Sequence, residues 1–397
     1  MKSLINKIET FLNVSVRLNK LVVHNYNPLG ISSKKHALLF FKTDWYGLNG
    51  KKKVVLGTTQ YEAQQQAIAL NELGYIVTIV DRKVKVKISK DFDLFVGHVV
   101  GGNGKYFAHY FSLMKASCIK VAISPGANPM LSYLNYNERI RYFNDRHKNL
   151  EGFDELKMSR TAPLETIKKN NNLIKKCKGV LVHTNKFAFE SYKDLKIPRF
   201  KIVSPIRKIK YISPQYKKKF RYKKNFFFYS GGGALHKGLD IVIESFKKLP
   251  NLNLFVATLH DEFIFSEYYK VKNFNNIKFF RHIRSDSLEM KKICNKCAFV
   301  IGVSCSDGDP VSIAECMKFG LIPMVTKETD NNQKYSLVFN NFKLKTIKKL
   351  ILYSQKLTKI KISNLSKGNI RLSENNEPEN HRSSFQKAIR HCIKKNN

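Results

Sequence analysis

Acidic residues are scarce in this chain. Thirty Asp and Glu stand against 71 Lys and Arg, a formal charge of +41 over 397 residues. A field of that sign draws polyanions: nucleic acid, anionic lipid headgroups or phosphate-bearing substrates. The sequence is also rich in Lys, Asn and Ile, so plain solvated lysine accounts for the charge equally well. Long apolar runs are missing too. None approaches the roughly 18 residues of a membrane-spanning helix, and the stretch from Met1 to Glu9 has neither an apolar h-region nor a cleavage site. The expectation is a cytoplasmic protein, peripheral at most to the inner face of a membrane. Cysteines are few, odd in number and scattered, seven in all, which fits a reducing compartment and no disulfide framework. Cys294 and Cys297 form a lone Cys-x-x-Cys without two further ligands nearby, so no metal is expected there. Helix-turn-helix, RNA-recognition and zinc-finger patterns are absent, and the basic residues are spread along the chain, which argues against nucleic acid as partner.

What is present is a folding composition, 43% hydrophobic and 12% aromatic, in a chain longer than one compact core usually holds. Short apolar runs alternate with longer amphipathic stretches, the pattern of βαβ units and a mainly parallel sheet. In the first half, strands are expected at His36–Phe41, Lys53–Leu56, Tyr75–Val80, Phe92–Val96, Ile119–Ser124, Gly179–His183 and Phe200–Ser204. In the second half they are expected at Phe226–Tyr229, Leu252–Ala257, Ile277–Arg281, Phe299–Val303 and Ile322–Val325. The reading is α/β: two Rossmann-like domains facing across a cleft, with mainly parallel sheets. Residues 1–205 form the first domain, 206–224 a basic linker and 225–362 the second domain. Residues 363–397 form a polar tail without a clear element up to Asn380, then a terminal helix near Ser384–Ile393 that packs back on the first domain.

Two segments sit at strand ends, where open α/β sheets bind ligands. The first is Tyr229-Ser230-Gly231-Gly232-Gly233 running to Lys237-Gly238. Successive glycines bring backbone N–H groups close to a ligand, and a lysine at a helix mouth adds a cation, so a diphosphate is the natural guest. An ordinary strand-to-helix turn with a solvent-facing lysine is the alternative. The second runs from Ser304 through Asp307-Gly308-Asp309-Pro310 to Glu315 and Gly320-Leu321-Ile322-Pro323. Asp309 as N-cap and Pro310 as first residue start a helix that holds Glu315 nearly two turns in. A loop carboxylate at Asp307 can accept from sugar hydroxyls, and Glu315 can accept from the vicinal hydroxyls of a ribose. A capping Asp beside a surface Glu is the alternative.

Together these segments resemble the donor-binding half of the GT-B glycosyltransferases, the large family-4-like group. Lys237-Gly238 matches that group's phosphate-binding lysine, and Asp307 and Glu315 match its acid-x7-acid element, with Asp in place of the more usual Glu. The resemblance spans Tyr229 to Pro323. It implies that Glu315 holds the ribose and that Lys237, with N–H groups around Gly231, Gly232, Gly233, Gly308 and Asp309, stabilises the departing diphosphate. It implies that Asp307 positions the transferred sugar and that the base lies near His282 and Ile283. Further implications are a nucleoside-diphosphate sugar as donor, a saccharide or lipid-linked acceptor, transfer with retention, no metal or other cofactor, and a role in surface polysaccharide assembly.

The chain departs from that pattern twice. Gly231 or Gly232 stands where many members carry a phosphate-binding Arg, leaving Arg207, Arg281 or Arg284 to supply the cation. No histidine occupies the first domain's loop Ser124–Asn128, so Asn128 or His98 stands in near the reacting sugar, with His183 on the acceptor side. A satisfied structural histidine is the alternative at position 98. These departures keep open a non-catalytic homologue or an epimerase, with a polyanion-binding protein as the remaining class.

Overall fold

The computed structural model describes residues 21–46, 54, 57–88, 91–99, 104–147, 162–183, 186–208, 216–258, 262–280, 283–308, 310–329 and 334–394. The first sheet orders its strands β1-β3-β2-β4-β5-β6-β7. These are β1 (Val22–Tyr26), β2 (His36–Phe41), β3 (Ile76–Asp81), β4 (Leu94–His98), β5 (Ile119–Ser124), β6 (Gly179–His183) and β7 (Arg199–Ile202). All pair in parallel except β1, an antiparallel edge strand bulged between Val23 and Tyr26. The second sheet is wholly parallel in the order β10-β9-β8-β11-β12-β13. Its strands are β8 (Asn225–Tyr229), β9 (Asn253–Ala257), β10 (Ile277–Phe280), β11 (Phe299–Gly302), β12 (Ile322–Thr326) and β13 (Leu337–Phe339). Central strands such as β4 and β12 are buried at every residue, as expected of apolar strands covered by helices on both faces. Of the expected strand Lys53–Leu56 only residue 54 is described.

The helices of the first unit are α1 (Thr59–Glu72), α2 (Phe107–Leu113), α3 (Pro129–Arg146), α4 (Leu164–Ile174) and α5 (Lys186–Glu190). In the second they are α6 (Ala234–Lys237), α7 (Leu239–Lys247), α8 (Glu262–Tyr268), α9 (Leu288–Asn295) and α10 (Val311–Lys318), followed by α11 (Leu344–Ser354), α12 (Lys359–Ser373) and α13 (Pro378–Lys394). Side-chain caps set several starts: Thr58 accepts from the Tyr61 N–H, Asn128 from Met130, Ser287 from Met290 and Thr358 from Lys361. No helix among the described residues is long and apolar enough to cross a membrane.

One expectation is corrected. The stretch expected to lack structure from Ser363 to Asn380 is mostly helical: α12 fills Lys359–Ser373, and α13 already begins at Pro378. Phe385, Ala388, Ile389 and Cys392 of α13 complete the core of the first sheet beside Ala67 and Leu70 of α1. Part of the basic linker 206–224 packs on the second unit. Tyr216–Tyr222 is a short 3-10 helix packed on α12. There the Lys219 ammonium is fully buried and donates to the carbonyls of Cys294 and Cys297 at 2.6 and 3.0 Å. Burial pulls its pKa down to about 8, and burial raises the Cys297 thiol, which keeps that thiol protonated. Helix α3 leaves the first sheet but ends in the second unit's core, where Phe143 is 1% exposed among Phe228, Leu239 and Val242.

Candidate active site

Each sheet has one topological switch point, between β2 and β4 in the first and between β8 and β11 in the second. Ligands of open parallel sheets bind beyond the carboxyl ends there. The glycine segment follows β8, the Ser304–Gly308 loop follows β11, and the chain leaving β2 arrives at Gly57 and the start of α1. A cavity of about 370 Å³ lies among these ends. Thr58, Thr59, Gln60 and Glu62 line it from α1, His183 from β6, Ser204 and Arg207 from the crossing segment, and Tyr229, Val311 and Glu315 from the second unit.

Glu315 reaches the cavity from the second turn of α10 and is 4% exposed. The Ser285 hydroxyl donates to its Oε1 at 2.5 Å and the Arg207 N–H at 3.4 Å. Burial dominates over these donors and pushes the carboxyl up to about 7. Such a group is poised to gain hydrogen bonds from a ligand that donates, as a diol does. Arg207 lines the cavity with one guanidinium nitrogen 3.5 Å from Asp286. Arg284, by contrast, is exposed and forks onto Asp286 at 2.6 and 3.0 Å. Of the three cations proposed to replace the missing Arg, Arg207 is therefore the one on the cavity; Arg281 lies outside the described residues.

Lys237 ends the single turn α6, between Gly233 and Gly238, which both adopt positive φ. Gly238 is also required by close approach, since a Cβ there would meet the Val303 carbonyl oxygen at 2.6 Å. The Lys237 ammonium is ion-paired with Asp307. His236 stands beside them, with Nε2 at 3.0 Å from the Ser306 carbonyl oxygen and 3.8 Å from Asp307. Burial works against a charged imidazole, yet Cys305 and Asp307 hold the His236 pKa above its ordinary value. Gly308 lies against the first unit: a Cβ on it would stand 2.3 Å from the Pro125 carbonyl oxygen. Pro125 is itself a wall of the cavity.

The sequence-derived residues thus divide. Glu315 and His183 line one cavity, and the loop carrying Asp307 and Gly308 abuts its wall at Pro125, with Lys237 paired to Asp307. Gly231, Gly232 and Gly233 form the turn between β8 and α6, where the Gly231 carbonyl accepts from Ser230 and Thr258 at 3.0 and 3.2 Å. His282 and Asp309 lie outside the described residues, and α10 begins at Val311 with Pro310 in the cap position. Ile283 packs in the core at 2% exposure, and its carbonyl accepts from the Tyr229 hydroxyl at 2.9 Å.

Two candidates stand apart from the cavity lining. His98 is fully buried and stacked on Phe41 with ring centroids 3.5 Å apart, and burial pushes its pKa well down. It packs as a neutral core histidine and does not reach the cavity. Asn128 caps α3: its Oδ1 accepts from Met130 at 2.9 Å and from Asn171 at 3.2 Å, which leaves it a structural task. His183 has Nδ1 at 2.6 Å from Ser204 and Nε2 at 3.0 Å from Glu62. Burial alone would raise the Glu62 carboxyl, but the charge and hydrogen bond of His183 hold it at about 2.

No protein-family model matches the chain, and no curated protein does. Solved structures do. Sucrose-phosphate synthase from Thermosynechococcus elongatus aligns with a TM-score of 0.59 at 8% identity, over 91% of this chain and 99% of its own. HepE from Anabaena, solved with UDP and glucose, aligns with a TM-score of 0.53 at 11% identity, over 91% and 100%. TarM aligns with a TM-score of 0.50 at 14% identity, and this chain spans only 54% of its length. WaaG, a glycosyltransferase of lipopolysaccharide biosynthesis, aligns with a TM-score of 0.50 at 12% identity, over 89% and 99%. The fold is GT-B.

Within this GT-B frame, sequence reasoning missed the first unit's wall. Thr58, Thr59, Gln60 and Glu62 open α1 and face the second unit's Glu315 across one cavity. The available signal was a Thr-Thr-Gln after Gly57 at a strand exit, which reads as a helix start and nothing more. Ser285, which orients Glu315, carried no signal in the sequence.

Proposed function

We propose that this chain is a glycosyltransferase that moves a sugar from a nucleoside-diphosphate sugar to a saccharide or lipid-linked acceptor, with retention. The observation that carries the reading is a buried carboxylate, Glu315, at the switch-point cavity of a GT-B fold, next to a loop whose acid is paired with the predicted phosphate lysine. HepE and a TarM variant were solved with UDP, which makes UDP the first nucleotide to try here.

In this reading Glu315 accepts from the ribose diol, and Lys237 turns from Asp307 toward the diphosphate. Arg207 supplies the second cation, and Asp307, released from the lysine, accepts from the sugar's hydroxyls. The anomeric C–O bond to the diphosphate breaks, an acceptor oxygen takes its place, and the acceptor's proton leaves with the diphosphate. Fixed donors at the developing phosphate charge lower the barrier, and these cations meet that charge without a divalent metal.

An anionic membrane surface belongs to the same proposal. No Asp or Glu occurs between Asp330 and Glu374, a stretch with ten Lys and Arg. On α11 and the first turn of α12, Leu352, Tyr353 and Ile360 are 47%, 51% and 74% exposed, among exposed Lys349, Lys356, Lys359 and Lys361. Apolar tips among lysines suit an interface of anionic headgroups, as a lipid-linked acceptor in surface polysaccharide assembly requires.

The test is release of UDP from UDP-glucose and other UDP-sugars, with and without saccharide acceptors. Acceptor-dependent release supports transfer. Interconversion of the sugar without acceptor points to epimerisation, and no turnover with any donor contradicts the proposal.

A further inference from the structure

Helix α3 starts in the first unit, yet one of its faces is committed to the second. Ser132, Asn135, Arg139, Tyr142 and Arg146 follow one another at three- and four-residue spacing, so they share that face. Arg146 pairs with Asp240 and Glu244 of α7 at 2.5 and 3.0 Å, and the Tyr142 hydroxyl accepts from the Leu344 N–H at 2.9 Å. The N-terminal half of the same face meets the loop after β11. The Arg139 guanidinium is fully buried and donates to the Val303 carbonyl. Asn135 Nδ2 donates to the Cys305 carbonyl at 2.8 Å, and Ser306 donates its hydroxyl to Ser132 at 2.9 Å.

Other groups of the loop are held from its own unit. The Cys305 N–H donates to the His236 carbonyl at 3.1 Å, the Ser304 carbonyl accepts from Thr326 at 2.6 Å, and the Asp307 N–H donates to the Glu328 carbonyl at 3.3 Å. Three contacts from the opposite unit therefore complete the anchoring of a loop that ends in Asp307.

We propose that α3 is a positioning element for the donor loop: Ser132, Asn135 and Arg139 fix residues 303–306, so that docking the two units and setting Asp307 are one event. The inference rests on the glycosyltransferase reading for what the loop binds, though not for how it is held. When α3 withdraws, the carbonyls of Val303 and Cys305 and the Ser306 hydroxyl exchange these fixed partners for water, so the loop loses three of the contacts that hold this path. Asn135, Ser132 and Arg139 act through the loop and touch no substrate; they are positioning residues.

The test compares Asn135→Leu, which removes the donor at similar volume, with Tyr142→Phe at the far end of the same helix. Amide hydrogen exchange is followed without ligand in peptides covering 303–308 and 322–326. Loss of one net hydrogen bond predicts exchange about fivefold faster at 303–308 in Asn135→Leu, no change at 322–326, and no change at 303–308 in Tyr142→Phe. Unchanged exchange at 303–308, or equal acceleration in both variants, overturns the proposal. UDP titration of the same proteins adds the functional arm. If wild type binds UDP, Asn135→Leu weakens it about fivefold while Tyr142→Phe does not, and equal affinity in all three overturns the coupling. If wild type binds no nucleotide, the glycosyltransferase reading fails, and the exchange result alone decides how the loop is held.

Discussion

The ammonium of Lys237 is ion-paired with the carboxylate of Asp307, 70 residues further along the chain. Both side chains are about 15% exposed or less, so solvent screens the pair weakly. A diphosphate must compete with Asp307 for this cation, and the same acid repels it. Asp307→Asn removes both effects. It is expected to tighten binding of a nucleoside diphosphate several-fold while sugar transfer falls. Lys237→Met is expected to weaken binding and to lower turnover by about 10²-fold or more, the scale of a lost transition-state donor. Calorimetry with UDP, alongside turnover of UDP-sugars, checks both directions; weaker binding in Asp307→Asn would count against the competition.

Glu315 gives the site a pH dependence. Its carboxyl, pushed to about 7 by burial, is mostly protonated at pH 6. A ribose diol donates to the ionised form, so affinity should fall about tenfold from pH 8 to pH 6, and binding near pH 7 should release a proton. Glu315→Gln should flatten the profile. The stability effect has the opposite sign. A carboxyl raised from 4.5 to about 7 destabilises the fold by up to about 3 kcal/mol above pH 7 and not at all below pH 4.5. Glu315→Gln should therefore raise the melting temperature at pH 8 and leave it unchanged near pH 4.

Gly308 has no room for a side chain. Its Cβ would lie 2.3 Å from the Pro125 carbonyl oxygen and 3.2 Å from the Gly126 Cα, all backbone. Gly308→Ala must push the two units apart. The expected result is turnover reduced at least tenfold with a smaller change in melting temperature; wild-type turnover would show that this contact is dispensable.

The α11–α12 corner predicts salt-sensitive binding to anionic vesicles at low salt and little to neutral ones. Ile360→Asp, which removes the most exposed apolar tip, should weaken that binding several-fold. Equal binding to anionic and neutral vesicles removes the membrane role.

Strands β2 to β12 were legible because they are apolar runs between amphipathic stretches; the edge strands β1 and β13, short and only partly buried, were not. Helix α12 was not. Its buried face uses Ser366, Gly368, Asn369 and Ser373 beside Ile362 and Leu365, so it lacks an apolar stripe. Gly368 admits the Tyr335 ring, and Asn369 donates to the Tyr335 carbonyl at 2.9 Å. The motif residues Lys237, Asp307 and Glu315 could be read from local spacing. Ser285 and the face of α3 could not, because they reach them only through the folded chain, and only the fold chooses Arg207 from the three candidate cations. His98 misled because a histidine at a strand end reads alike whether it faces a cleft or stacks inside on Phe41.

The most direct test of the donor site is binding of UDP, GDP, ADP and dTDP to wild type and to Glu315→Ala. The account predicts that one nucleotide binds wild type and that Glu315→Ala loses it while remaining folded. Binding of none of them to the folded protein, or undiminished binding to Glu315→Ala, would contradict it.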